Sequence, residues 1–125
     1  MILSQVVYHC SPVKIDQFYI PENGLHFGPL ESALKAAARH VTNQNEMKIF
    51  VHKVKINVTK CQELFDVGFN WVEEVKHETC KIFKYKNKYE PSLQPSYVLF
   101  DTSLILSIEH VYPYLINRKD YDEFE

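Results

Sequence analysis

Between Leu30 and Val41 the apolar residues stop alternating and recur at helical spacing. Leu30, Ala33, Leu34, Ala37, Ala38 and Val41 fall at i, i+3, i+4, i+7, i+8 and i+11, one face of a helix, while Glu31, Lys35 and Arg39 point elsewhere. The small alanines on that face predict close packing against a sheet. The rest of the chain reads mostly as strand. Gln5 to His9 is short, β-branched and aromatic, and Ser11-Pro12 stops it. Tyr19 to Gly24 supplies a loop of turn residues, and Leu25 to Phe27 is a brief extended piece closed by Gly28 and Pro29.

Met47 to Val58 predicts a long strand. Phe50, Val54, Ile56 and Val58 share one face and Lys53, Lys55 and Asn57 the other. His52 falls on the apolar side, as a satisfied half-buried imidazole rather than a ligand. Cys80 to Tyr85, Ser96 to Asp101 and Leu104 to Tyr112 give three more strands, separated by the Pro91 to Pro95 loop and the Asp101-Thr102-Ser103 turn. A short helix carrying Trp71 is expected within Phe69 to Glu78. A strand, a helix and then a run of strands predict an α+β domain on mainly antiparallel sheet.

At 125 residues and 46% hydrophobic, the chain suits one compact domain over residues 1–116, with a polar, acidic tail over 117–125. A net charge of -2 gives no global field attracting nucleic acid or anionic membrane. No apolar run reaches the roughly 18 residues of a membrane span and the N-terminus lacks a secretory pattern, so a cytoplasmic protein with no membrane partner is expected. Cys10, Cys61 and Cys80 are widely spaced and odd in number, which fits reduced thiols.

The chemistry-bearing residues then narrow the field. Cys10 beside His9 invites a Cys-His nucleophile, but strand neighbours point to opposite faces, so the imidazole is badly placed to take the thiol proton. No short spacing of His and Cys supports a zinc site, and no metal is expected. Lys81, Lys84, Lys86 and Lys88 interleave with Phe83, Tyr85 and Tyr89, the composition of a groove that holds phosphates and stacks bases. The plainer reading of that stretch is a strand with a solvated lysine face and a lysine-guarded edge.

Three separated pieces raise two histidines above this background. Tyr8-His9-Cys10-Ser11-Pro12 ends the first strand, Gly24 to Ala37 runs from a strand into a helix, and Ser96 to Ile105 lies near the C-terminus. Together they resemble the histidine-motif branch of the ADP-ribosyltransferase superfamily, the diphtheria-toxin and poly(ADP-ribose) polymerase-like proteins. The likeness spans Val6 to Ile105 in outline, and its specific content lies in the three motifs.

The resemblance implies two packed, mainly antiparallel sheets with one or two helices and an NAD cleft between them. It implies that His9 hydrogen-bonds the adenosine ribose of NAD and that Ser11 is the small hydroxyl residue after it. Cys10 replaces a glycine whose backbone binds the nicotinamide amide. Phe27 keeps the second motif's aromatic, and His26 stands where a tyrosine stacks on nicotinamide. Tyr97, Val98, Phe100, Asp101 and Ile105 match the third motif, but Ser96 occupies the position of its glutamate. That acid orients the ribose 2′-hydroxyl and stabilises an oxocarbenium-like transition state, an electrostatic role a serine lacks. Glu90, on the loop entering this strand, is the nearest substitute. The function implied is NAD-dependent mono-ADP-ribosyl transfer, NAD serving as substrate, to a macromolecular acceptor, protein in preference to nucleic acid. A phage or mobile-element effector against a host or defence component fits that size. The alternative is a degenerate fold that binds a partner protein or nucleic acid without NAD chemistry. An RNA 2′-phosphotransferase shares the fold but needs several arginines, and the chain has only Arg39 and Arg118.

Overall fold

A computed structural model of the protein describes residues 1–41, 46–64, 75, 77–86 and 94–118. The described elements are β1 (Ser4–Ser11), β2 (Leu25–Phe27), α1 (Leu30–Ala38), β3 (Glu46–Asn57), β4 (Gln62–Glu63), β5 (Ile82–Tyr85), β6 (Ser96–Leu99) and β7 (Ile105–Asn117), the last preceded by a 3₁₀ turn over Thr102–Leu104. They form an α+β fold of two sheets. One is antiparallel in the order β1-β3-β7, and the other, β2-β6-β5-β4, is mixed because β4 runs parallel to β5.

Each expected strand is present, β2 with the expected bounds and the others with shifted ends. β7 continues to Asn117, and Arg118 donates from Nη1 to the Val41 carbonyl at 2.9 Å, tying strand end to helix end. Pro113 is tolerated inside β7 because that strand lies at a sheet edge. Two residues of β7, Leu106 and Glu109, are skipped in its pairing with β3, the irregularities by which a long edge strand bends. The expected helix starts at Leu30 but ends at Ala38, and Val41 stays buried through a further turn, its N–H bonding the Ala38 carbonyl at 3.1 Å. The segment expected to be a helix around Trp71 falls largely outside the described residues, as does most of the 117–125 tail.

The core has two parts because β3 buries opposite faces toward its two ends. Val54 and Ile56 face the second sheet and pack with Val7, Phe18, Leu25, Phe27, Ile82, Tyr97 and Leu99. Ile49 and Val51 face α1 and pack with Leu34, Ala37, Ala38, Val41 and Ile116. The apolar face expected of β3 is therefore buried only toward its C-terminal end. The alanines of α1 do lie against the sheet. β5 is not a sheet edge as its lysines suggested: β6 pairs it on one side and β4 on the other.

Among the described residues one backbone bridge joins the sheets. Tyr8 and Gly28 exchange two backbone hydrogen bonds, Tyr8 N–H to the Gly28 carbonyl at 2.8 Å and Gly28 N–H to the Tyr8 carbonyl at 3.0 Å. This bridge lies on the outer edge of β1, where α1 begins, and a cleft opens there.

Candidate functional site

The cleft, about 330 Å³, runs along the free edge of β1 between the helix and the second sheet. His9 and Cys10 reach it from β1, His26 and Phe27 from β2, Ser96 from the start of β6, and Tyr85 from the end of β5. Five residues singled out in the sequence thus meet, although they come from segments far apart in the chain. Gly28 makes the close approach possible: a Cβ there would lie 2.8 Å from Ser96 Oγ and 3.5 Å from Ser32 Cβ.

Two other residues singled out in the sequence are elsewhere. Ser11 is buried and its Oγ accepts from the Val13 N–H at 3.2 Å, closing the turn after β1. Tyr97 packs in the core between the sheets, since the alternation of β6 sends it away from Ser96. Glu90 lies outside the described residues. Among the lining residues described, none is Asp or Glu.

The histidines are held in defined protonation states. A carbonyl only accepts, so His9 donates from Nδ1 to the His26 carbonyl at 2.9 Å, and the neutral ring leaves Nε2 as an acceptor with no partner among the described residues. Phe18 and Phe27 enclose the ring, with centroids at 5.5 Å and 5.6 Å. Burial is the main cause that lowers the His9 pKa, against the bond to His26 and aided by His52 and His26. His26 donates from Nε2 to the Asn23 carbonyl at 2.9 Å, so its Nδ1 accepts the Tyr85 hydroxyl at 2.7 Å. Its pKa is also lowered, chiefly by burial.

His52 is more enclosed than the sequence suggests, with 0% exposure, and both nitrogens are used. Nε2 accepts from the Ile15 N–H at 2.9 Å and Nδ1 donates to the His9 carbonyl at 3.1 Å. It is a satisfied core residue. Cys10 faces the helix side, opposite His9, and burial pushes its thiol up to about 12, so it is no thiolate nucleophile. Among the described residues, no group of three or more His, Cys, Asp or Glu is placed to hold a metal ion. No described helix is long and apolar enough to cross a membrane.

Sequence reasoning missed Tyr8, Ser32, Arg39, His40 and the site role of Tyr85, all of which line the cleft. Arg39 and His40 follow the apolar helix face, and only the helix's position over β1 brings them in. For Tyr85 the missing information was strand register. Fold and site define an α+β protein with a cleft at the junction of two sheets, lined by the His9 and His26 imidazoles and by aromatic residues. The chain matches no family model, no curated protein and no solved structure.

Proposed function

We propose that the cleft binds NAD and that the protein transfers ADP-ribose from it to a macromolecular acceptor, protein in preference to nucleic acid. The observation that carries this reading is the convergence of His9, the His26-Phe27 pair and Ser96 on one cleft. Those are the positions at which the three motifs resemble the ADP-ribosyltransferases. The ring nitrogen of His9 left as an acceptor suits a ribose hydroxyl donor. Tyr85 and His26 offer flat surfaces for a nicotinamide ring, Phe27 backs the His9 ring from the core, and Arg39 sets a cation at the helix end for a pyrophosphate.

In the reaction nicotinamide departs from ribose C1′ with the bonding pair, and the acceptor's lone pair forms the new bond to C1′. The sequence resemblance assigns the stabilising group to Glu90 or Ser96. The described cleft lacks a carboxylate, and this favours, as second reading, a degenerate member that binds a partner without turning NAD over.

Calorimetry with NAD, followed by mass spectrometry of a lysate incubated with NAD and the protein, tests both. A mass increment of one ADP-ribose on a lysate macromolecule, diminished in His9→Asn, is the expected result, and Glu90→Ala reports whether that carboxylate takes part. NAD bound without any increment selects the second reading restricted to nucleotide binding. No NAD binding at millimolar concentration refutes the transferase.

A further inference from the structure

The cleft contains a hydroxyl whose proton already points at a base. β5 pairs antiparallel with β6 in a register that sets Tyr85 directly opposite Ser96. Residues so opposed send their side chains to the same sheet face, with Cβ atoms roughly 4.5–5.5 Å apart. Tyr85 therefore stands beside the position where the resemblance expects a glutamate, and both residues line the cleft.

The partner of this hydroxyl is fixed from behind. The turn from Pro21 to Gly24 closes with a Gly24 N–H to Pro21 carbonyl bond of 2.9 Å, and Gly24 adopts φ 84°. That turn presents the Asn23 carbonyl to His26 Nε2 at 2.9 Å, which fixes the proton on Nε2 and a lone pair on Nδ1. The Tyr85 hydroxyl meets that lone pair at 2.7 Å, with the rings edge-on at 82°. Hydroxyl, imidazole and carbonyl thus follow the order in which a third group orients the base of an activated hydroxyl.

We propose that Tyr85, polarised by His26, is the catalytic group at the reacting end of the cleft and supplies the negative character a glutamate at position 96 would give. The inference rests on the NAD reading above. As nicotinamide leaves with its bonding pair, the Tyr85 oxygen accepts a hydrogen bond from the ribose 2′-hydroxyl while its own proton shifts toward His26 Nδ1. The growing charge on the oxygen faces the growing positive charge on the sugar. The acceptor then closes the bond to C1′ and releases its proton to water, and the proton on His26 returns to Tyr85. The pair ends as it began, and no further reactant is needed.

The test uses the full chain and its Tyr85→Phe, His26→Gln and Tyr19→Phe variants, with NAD affinity and NAD turnover measured separately. Tyr85→Phe is expected to lower kcat by roughly 10²–10³-fold, the size found on removing one preorganised polar group, and to leave NAD affinity within about threefold. Tyr19, 73% exposed, serves as the neutral control. An arylsulfonyl fluoride, which loses fluoride to activated phenols, reads the pair without NAD. Preferential labelling of Tyr85 over Tyr19, lost in His26→Gln, supports the assignment, and equal labelling overturns it. Unchanged NAD turnover in Tyr85→Phe overturns it while the transferase reading stands. Absence of NAD binding in the wild type overturns both.

Discussion

His52 joins the loop after β1 to the strand that carries His9, and its removal has a size that follows from its bonds. The ring is fully enclosed, and its two bonds, to the Ile15 N–H and the His9 carbonyl, require the neutral Nδ1–H tautomer. His52→Phe keeps a flat ring but leaves the Ile15 N–H unpaired, while the His9 carbonyl keeps its place opposite His52 in the β1–β3 ladder and loses only its second donor. At roughly 1–3 kcal/mol for an unsatisfied buried group, the cost is about 1–3 kcal/mol, a substantial part of a small domain's stability. His52→Gln offers one donor and one acceptor and should cost less. Protonation acts on the same bonds, because imidazolium has no lone pair for Ile15. Burial is the main cause that lowers the His52 pKa from 6.5, with Lys14 adding to it and the His9 and Phe50 carbonyls and Asp16 opposing.

The sign follows from proton counting. Below pH 6.5 the unfolded chain takes up a proton that the folded ring resists, so stability is full above that pH and falls as the pH drops, until the folded ring itself titrates. One such group contributes at most about 1.4 kcal/mol per pH unit. His9 and His26 are shifted in the same direction, chiefly by burial, so the three together allow up to about 4 kcal/mol per unit. Urea unfolding followed by far-ultraviolet circular dichroism between about pH 7.5 and 5.5, above the ordinary carboxylate range, isolates this contribution. Stability of the wild type should fall across that window, and His52→Gln should fall less steeply. Equal slopes in the two proteins, or a wild type that gains stability on acidification, would refute the locked-tautomer reasoning.

Gly28→Ala should destabilise the wild type by about 1–3 kcal/mol, because the new Cβ meets Ser96 Oγ at 2.8 Å while two bonds to Tyr8 hold the backbone in place. The same change in a Ser96→Ala background should cost at least ~0.5 kcal/mol less, a coupling that thermal denaturation of the double-mutant cycle reads directly. Alkylation by iodoacetamide at about pH 8 should leave Cys10 unmodified in the folded protein, since burial holds its thiol up at about 12. Cys61, at about 11, should also react slowly, and rapid labelling of Cys10 in native protein would contradict its packing beneath the helix.

Local periodicity carried most of the fold. The helical spacing and the strand alternation around Val54 each report a face: Leu34, Ala37, Ala38 and Val41 are buried as expected, but Leu30 is exposed and Ser32 is buried in place of the first turn's apolar residues. Periodicity failed where the buried face switches: Ile49 and Val51 lie under the helix while Glu46 and Lys48 on the other face are exposed, so the N-terminal part of β3 buries the face opposite to that of Val54 and Ile56. It also missed β4, a two-residue strand too short for any period, and with it the covering of β5's edge. Within the site, His9, His26, Phe27 and Ser96 were legible as motif residues. Tyr85 was not, because its place beside Ser96 depends on the β5–β6 register, and register is a non-local property. Ser11 and Tyr97 show the converse: a motif position says nothing about which way a strand turns its side chain.

The neutral histidines also determine how the site must be probed. His9 donates to the His26 carbonyl, and its own carbonyl receives the proton of His52, so one residue links β1, β2 and β3 while lining the cleft. His9→Ala removes the link and the ligand-facing nitrogen together and opens a cavity beside Phe18 and Phe27. Loss of activity in that variant carries no information about NAD. Asparagine separates the two roles, because its amide N–H falls near the position of Nδ1 and nothing replaces Nε2. His9→Asn should keep the bond to the His26 carbonyl and weaken NAD by the worth of one hydrogen bond, about 0.5–1.5 kcal/mol or roughly 2–12-fold in Kd. Calorimetry beside a urea curve makes the comparison. An Asn variant that folds like the wild type and binds NAD equally well would show that Nε2 does not touch the nucleotide, and would leave His9 as a tie between strands.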